Sequence, residues 1–247
     1  MKQGSTRGLP GWRFAQGVGA LAGVVMAIAL YMAFVYAPAD ALQGDVQRIF
    51  YLHVPMAWVA FLAFFVTFIG GIGYLWKRHR GWDQLARASA EIGLVFTTIV
   101  LLSGSLWGKP IWGTWWTWDA RLTTTLLLWF IYLAYFMLRS YVSDPERAAR
   151  YAAVLGIFGF IDVPIIYKSV DWWRTLHPGP VVSTGGAAMP GSMVVTLLVA
   201  LAATTLIYAY MLYQRFWIER TKDEIADYHY RLYERQLARE MREGASV

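Results

Sequence analysis

Residues 107–123 read WGKPIWGTWWTWDARLT, and the reading of the whole chain depends on this stretch. It holds Trp107, Trp112, Trp115, Trp116 and Trp118, is punctuated by Gly108, Pro110 and Gly113, and closes on Asp119 and Arg121. The freedom of glycine and the missing donor of proline argue against a continuous helix here and for a shaped platform. Indoles so closely spaced form a broad, flat, polarisable surface. Tryptophan also collects as a belt wherever helices leave a bilayer. A belt, however, needs one or two indoles per crossing and no Gly/Pro punctuation, so the stretch predicts a surface for something flat and apolar.

Around it, composition sets the class. Of 247 residues, 57% are hydrophobic and 15% charged, with mean hydropathy +0.40, the balance of an integral membrane protein. The absence of cysteine excludes a disulfide framework, a thiolate metal site and a C-x-x-C-H haem attachment motif. Crossing a bilayer takes about 20 mostly apolar residues. Stretches 14–36, 53–76, 88–106, 122–140, 151–170 and 192–213 qualify. The third is interrupted by Glu91, Ser103 and Gly104, and the fifth, with Asp162 and Pro164, is the least regular. The first run is long enough to span and has no small-residue cleavage pattern after it, so it reads as a span and not a cleaved signal.

The net charge of +6 is read from its placement, as a sign of topology and not of nucleic-acid binding. All but five of the 22 Lys and Arg fall at the N-terminus (Lys2, Arg7, Arg13), between spans two and three, between spans four and five, or after residue 213. The exceptions are Arg48, Lys109, Arg121, Lys168 and Arg174. By the positive-inside rule both termini are cytoplasmic and the Trp-rich loop faces outward. The expected fold is an all-α polytopic membrane protein with six transmembrane helices. It divides into a transmembrane domain, 1–213, and a charged cytoplasmic tail, 214–247, read as a solvated helix. Ser143-Asp144-Pro145-Glu146 reads as a capping box opening the fifth helix, and 171–191, rich in Gly and Pro, as a loop.

This topology divides the four histidines. His79, among Lys77, Arg78 and Arg80, and His229, in the tail, read as ordinary surface residues. His53 and His177 fall at the outer edge, level with the tryptophans. His53 opens the second span two residues before Pro55, where the helix dipole keeps an imidazole neutral and able to bind a metal. His177 sits in DWWRTLHPG, beside Trp172 and Trp173. Single interfacial histidines are usually structural, and from the residues alone both readings stay open. Asp119, just before the fourth span, suits an N-cap. Asp162 and Lys168 are ionisable groups in or near a span, and so functional candidates by default.

WGTWWTWDARLT resembles the tryptophan-rich "WWD" signature of haem-handling membrane proteins, in the form carried by the CcmC family. Distant members that build holocytochrome follow the Asp with Pro and an acidic residue, whereas here Asp119 is followed by Ala120 and Arg121. QRIFYLHVPMAW and VPIIYKSVDWWRTLHPG carry the resemblance further, over nearly all six spans. It implies that His53 and His177 are the axial ligands of a noncovalent, transiently held haem b on the periplasmic side of the bacterial inner membrane. Trp107, Trp112, Trp115, Trp116 and Trp118 would cover the macrocycle. Arg48, Lys109, Arg121 and Arg174 would be propionate candidates, with Asp119 in the same cofactor-binding set. It also implies haem presentation to the chaperone CcmE, in a complex with the ATP-binding cassette pair CcmA and CcmB and the small protein CcmD. No G-x-x-x-x-G-K-[ST] sequence makes this chain a motor, and nothing in it marks an enzyme. The competing readings are a small-solute permease, built on broken helices with polar groups at the midplane, and a structural membrane subunit.

Overall fold

Apolar runs of this length must satisfy every backbone group internally, which in one chain favours helices. The computed structural model of the protein describes residues 11–179, 182–183, 186–187 and 189–244, so Lys2 and Arg7 lie outside the described residues. Helix α1, Trp12–Tyr31, widens into a π-turn, Met32–Tyr36. A 3-10 turn, Asp45–Ile49, leads into α2, Phe50–Lys77. Then come α3, Arg80–Trp112, α4, Ala120–Tyr141, α5, Pro145–Phe160, α6, Asp162–Trp172, and α7, Gly191–Gly244. Between α6 and α7, the two-residue strands β1, Val182–Ser183, and β2, Gly186–Ala187, pair antiparallel within the stretch expected to be plain loop. With α5 and α6 counted as one crossing, six helical stretches are long and apolar enough to span a membrane.

Three boundaries differ from expectation. Helix α2 begins before His53, so the histidine lies a full turn inside it, and the helix-dipole argument for its neutrality loses force. Helix α3 runs on through Gly108 and Pro110 to Trp112, and ends on Gly113 in the left-handed region at φ 76°. Pro110 costs one hydrogen bond, to the carbonyl of Leu106, and a single such loss near a helix end does not stop the helix. The irregular part of the Trp-rich stretch is therefore only 113–119. The fifth crossing breaks at Ile161, because Pro164 cannot donate to the carbonyl of Phe160.

Helices α2 and α3 form a central antiparallel pair. Helix α7 packs on α1, α2 and α3, while α4, α5 and α6 cover the other side. Between apolar helices in lipid, association rests on close approach, and small residues supply it. A Cβ on Gly93 would lie 2.6 Å from the Phe64 ring, which stacks on Tyr132 with centroids 3.6 Å apart. At the end of the bundle remote from the Trp-rich stretch, ion pairs fasten the helices. Arg139 of α4 meets both oxygens of Asp83 at 2.8 and 2.7 Å. Arg87 reaches Glu219 at 3.0 Å and Asp223 at 3.1 Å, and Arg215 pairs with Glu91 and Glu219. Arg80 pairs with Asp227 at 2.6 Å.

Helix α7 has 54 residues. At 1.5 Å per residue it is about 81 Å long, against a hydrocarbon layer of about 30 Å, so it leaves any bilayer as one unbroken rod. On one face Arg215, Glu219, Asp223 and Asp227 are ion-paired to α3, while the other face of 215–227 and all of 228–243 are largely exposed.

Candidate functional site

The start of α2, the end of α3, the start of α4 and the loop after α6 meet at one end of the bundle. His53, the fourth residue of α2, is only 8% exposed. Its Nδ1 lies 2.9 Å from Ser103 Oγ on α3, and Ser103 Oγ is 3.3 Å from the carbonyl of Val100. A Cβ on the next residue, Gly104, would sit 3.1 Å from His53 Cε1, so the glycine makes room for the ring. Trp107 meets the imidazole edge-on, with centroids 5.8 Å apart. It is held by its own indole N–H, which donates to Gln43 Oε1 at 2.9 Å.

His177 comes from the loop after α6. Its backbone N–H donates to Thr175 Oγ1 at 3.0 Å, and Nδ1 lies 2.9 Å from the carbonyl of Pro178 and 3.4 Å from Arg121 Nη1. A carbonyl can only accept, so the shorter contact places the proton on Nδ1 and leaves Nε2 with a lone pair. Burial holds the His177 imidazole down at about pKa 4, and the nearby Arg121 charge adds to this against the hydrogen bond to Pro178. It is the neutral, metal-binding form at neutral pH. His53 meets Trp107 and His177 meets Trp112, five residues apart at the end of α3. Two histidines 124 positions apart in the sequence are thus gathered at one end.

The tryptophans surround this place unevenly. Trp107 lies against His53, and Trp112 tilts over His177 with centroids 6.5 Å apart. Trp116 and Trp118 meet edge to face at 5.7 Å, and Trp118 is 76% exposed. Trp115 is exposed beneath the Lys109 ammonium, 5.9 Å from its ring. Trp116 Nε1 is an enclosed donor with no partner among the described residues. Asp119 caps α4, accepting from the Leu122 N–H at 3.0 Å and from Thr117 Oγ1 at 3.3 Å. That cap fixes the first turn of α4 and with it Arg121.

The cations separate by what already engages them. Arg48 bonds to Asp45 at 2.9 Å and to the carbonyls of Ala33 and Ala37 at the end of α1, so most of its donors tie the chain together. Lys109 donates to the carbonyl of Gly113 at 3.0 Å. Lys168 pairs with Asp171 at 3.0 Å. Arg174 is exposed, and Arg121, half-buried beside His177, has no carboxylate within ion-pair distance among the described residues. At the other end of the bundle His79 caps α3, accepting from the Gly81 N–H at 3.1 Å, and His229 is exposed on α7. His53 and His79 are separated by 26 residues of mostly helical chain, about 39 Å. Asp162 Oδ2 is buried at the α5–α6 break without a partner among the described residues. Ser103, Gln43 and Thr175 were not foreseen as site residues. The signal for Ser103 was a hydroxyl interrupting an apolar span near the level of His53.

Comparison with known proteins identifies the family. The family model described as haem exporter protein C, CcmC, matches residues 11–230, and so takes in the ion-paired part of the tail. Haem exporter protein C of Bradyrhizobium diazoefficiens is 47% identical over 186 residues, 75% of this chain and 70% of the relative. The protein of that name from Escherichia coli (strain K12) is 44% identical over 157 residues, 63% of this chain and 64% of the relative. That from Haemophilus influenzae is 35% identical over 205 residues, 81% and 82%. With six membrane-crossing stretches and a family match along nearly its whole length, this chain belongs to the haem exporter protein C (CcmC) family, multi-pass membrane proteins that handle haem in cytochrome c maturation.

Proposed function

We propose that the protein holds haem b noncovalently between His53 and His177 at the outer face of the bacterial inner membrane and presents it to the chaperone CcmE. It does so beside the ATP-binding cassette subunits CcmA and CcmB and the small protein CcmD. The observation that carries the reading is the gathering of two imidazoles from distant elements against Trp107 and Trp112 of the Trp-rich stretch, with Arg121 beside one of them. The residues fit the cargo. An iron porphyrin asks for lone-pair nitrogens, an apolar surface and cations for its propionates. His177 offers Nε2, Trp107 and Trp112 flank the two rings, Arg121 offers a guanidinium that no carboxylate pairs with among the described residues, and the enclosed Trp116 N–H offers a donor without a partner among them. Arg48 takes a structural role in this reading. With no cysteine in the chain, haem is not fixed through a thioether bond and leaves with its acceptor; the protein transfers haem and makes no bond to the macrocycle.

Protein purified with haem should show a six-coordinate, low-spin spectrum. His53→Ala or His177→Ala should shift or abolish it, and added imidazole should partly restore it. An unchanged Soret band in both variants overturns the reading. Crosslinking probes at Gly113 and Pro178 should capture CcmE only when haem is present, and a probe at Arg80 should not; capture mainly from Arg80 overturns the orientation. The break at Ile161 with the buried Asp162 is the one feature a small-solute permease would use. Protein that stays colourless in ample haem favours that second reading.

A further inference from the structure

We propose that Ser103 is a positioning residue for haem binding, holding His53 in the tautomer and ring orientation that direct Nε2 at the iron. The proposal rests on the reading of His53 as an iron ligand. An imidazole that gives its Nε2 lone pair to a metal must carry its proton on Nδ1, and that N–H needs an acceptor. Here Nδ1 lies 2.9 Å from Ser103 Oγ, 50 positions away in sequence, and no other partner for the ring is present among the described residues. A serine hydroxyl can accept that proton's bond only if its own proton goes elsewhere. The Val100 carbonyl, an acceptor only, lies 3.3 Å from the same Oγ and can take it. The relay Nδ1–H to Oγ–H to carbonyl runs in one direction, and the opposite arrangement would put the proton on Nε2 and block ligation.

The surroundings restrict the ring further. Ser103 is buried, and its neighbour Gly104 leaves only enough room for the imidazole edge, since a Cβ there would come within 3.1 Å of Cε1. Trp107, pinned by Gln43, closes the side. Helix α3 thus presents Ser103, Gly104 and Trp107 as one wall against His53. The serine supplies the hydrogen bond, the glycine the space and the tryptophan the stop.

Ser103→Ala exchanges the hydroxyl for a hydrogen at a helical position, and Ser103→Thr keeps the hydroxyl. Both would be purified with haem and assayed for haem loss to a soluble scavenger, for the low-spin spectrum and for the midpoint potential, with apoprotein melting as the folding control. Partners behind metal ligands are worth about tenfold to a hundredfold in affinity, so Ser103→Ala should lose haem about that much faster. Its midpoint potential should rise, because an imidazole without an acceptor at Nδ1 donates less to ferric iron. Ser103→Thr should stay near wild type. Wild-type retention and potential in Ser103→Ala, or equal losses in both variants, overturn the proposal. His53→Ala separates the two levels. If it leaves the spectrum unchanged, the ligand reading itself fails. If it abolishes the spectrum while Ser103→Ala does nothing, only the role of Ser103 fails.

Discussion

Arg121 and Arg48 stood together as propionate candidates in the sequence, and the structure separates them by what each already touches, so substituting both tests that reasoning. Arg121→Gln removes a half-buried guanidinium that has no carboxylate within ion-pair distance among the described residues. No buried acid is orphaned, so the melting temperature of the apoprotein should barely move, as for surface changes within about 0.5 kcal/mol. A charge-assisted hydrogen bond to a propionate is worth about 1.5–3 kcal/mol. Solvent access to Arg121 discounts this toward its lower end, and at 1.4 kcal/mol per decade haem loss should quicken about tenfold. Arg48→Gln is expected to do the reverse. It deletes bonds to Asp45 and to the carbonyls of Ala33 and Ala37, which join the α1–α2 connection to the end of α1. Carbonyls left unpaired cost about 1–3 kcal/mol, which lowers the melting temperature in detergent. Haem loss from the folded fraction should stay within about threefold, the range of a change that removes no contact to the ligand. Scavenger-driven haem release and tryptophan-fluorescence melting, read on the same preparations, decide the matter. Fast haem loss from Arg48→Gln with wild-type retention in Arg121→Gln would refute the assignment.

Other expectations follow from single contacts. Asp119→Ala removes the cap of α4 and should cost about 1 kcal/mol of stability, and by loosening the first turn it should reproduce part of the Arg121→Gln haem loss in the same scavenger assay. Arg139→Leu strips the buried Asp83 of its bidentate partner; such a loss costs about 3–5 kcal/mol, and Arg87 at 3.5 Å should keep it near the lower figure by melting in detergent. Gly93→Ala forces a methyl toward the Phe64 ring and should destabilise by about 1–3 kcal/mol in chemical unfolding, without altering the haem spectrum. Trp115→Ala and Trp118→Ala should weaken haem retention more than Trp76→Ala at the far end of α2, with partial single effects, since aromatic contacts contribute about 0.5–1.5 kcal/mol beyond area. Equal effects at both ends would return the tryptophans to a plain belt.

The sequence by itself determined the class and most of the framework. A run of about 20 apolar residues has one economical way to satisfy its backbone in lipid, so the six crossings were legible from length and composition alone. The division of the histidines was legible for the same reason: helices of known rise carry His53 and His79 to opposite ends of one rod. The motif around Trp107–Trp118 was also plain, because its residue types are rare and crowded.

Tertiary structure decided whatever depends on partners far apart in the chain. Pro110 looked like a helix breaker, yet α3 passes through it, because one missing donor near a helix end is outweighed by the turn around it. Pro164 does accompany a break in the fifth crossing, at Ile161, so the residue type alone could not say which proline would interrupt its helix. The tail reads as solvated, and most of it is, yet Glu219, Asp223 and Asp227 on one face meet Arg80, Gln84 and Arg87 more than a hundred positions earlier. Arg48 and Arg121 were equal as residue types, and Asp45 with the carbonyls of Ala33 and Ala37 set them apart. Ser103 read as an interruption of a span until folding brought it to His53. Local pattern is set by the backbone's own demand for hydrogen bonds and by the solvent, both of which a short stretch carries with it. The engagement of a polar side chain is set by which distant atoms packing leaves within 3 Å or so, and no stretch carries that alone.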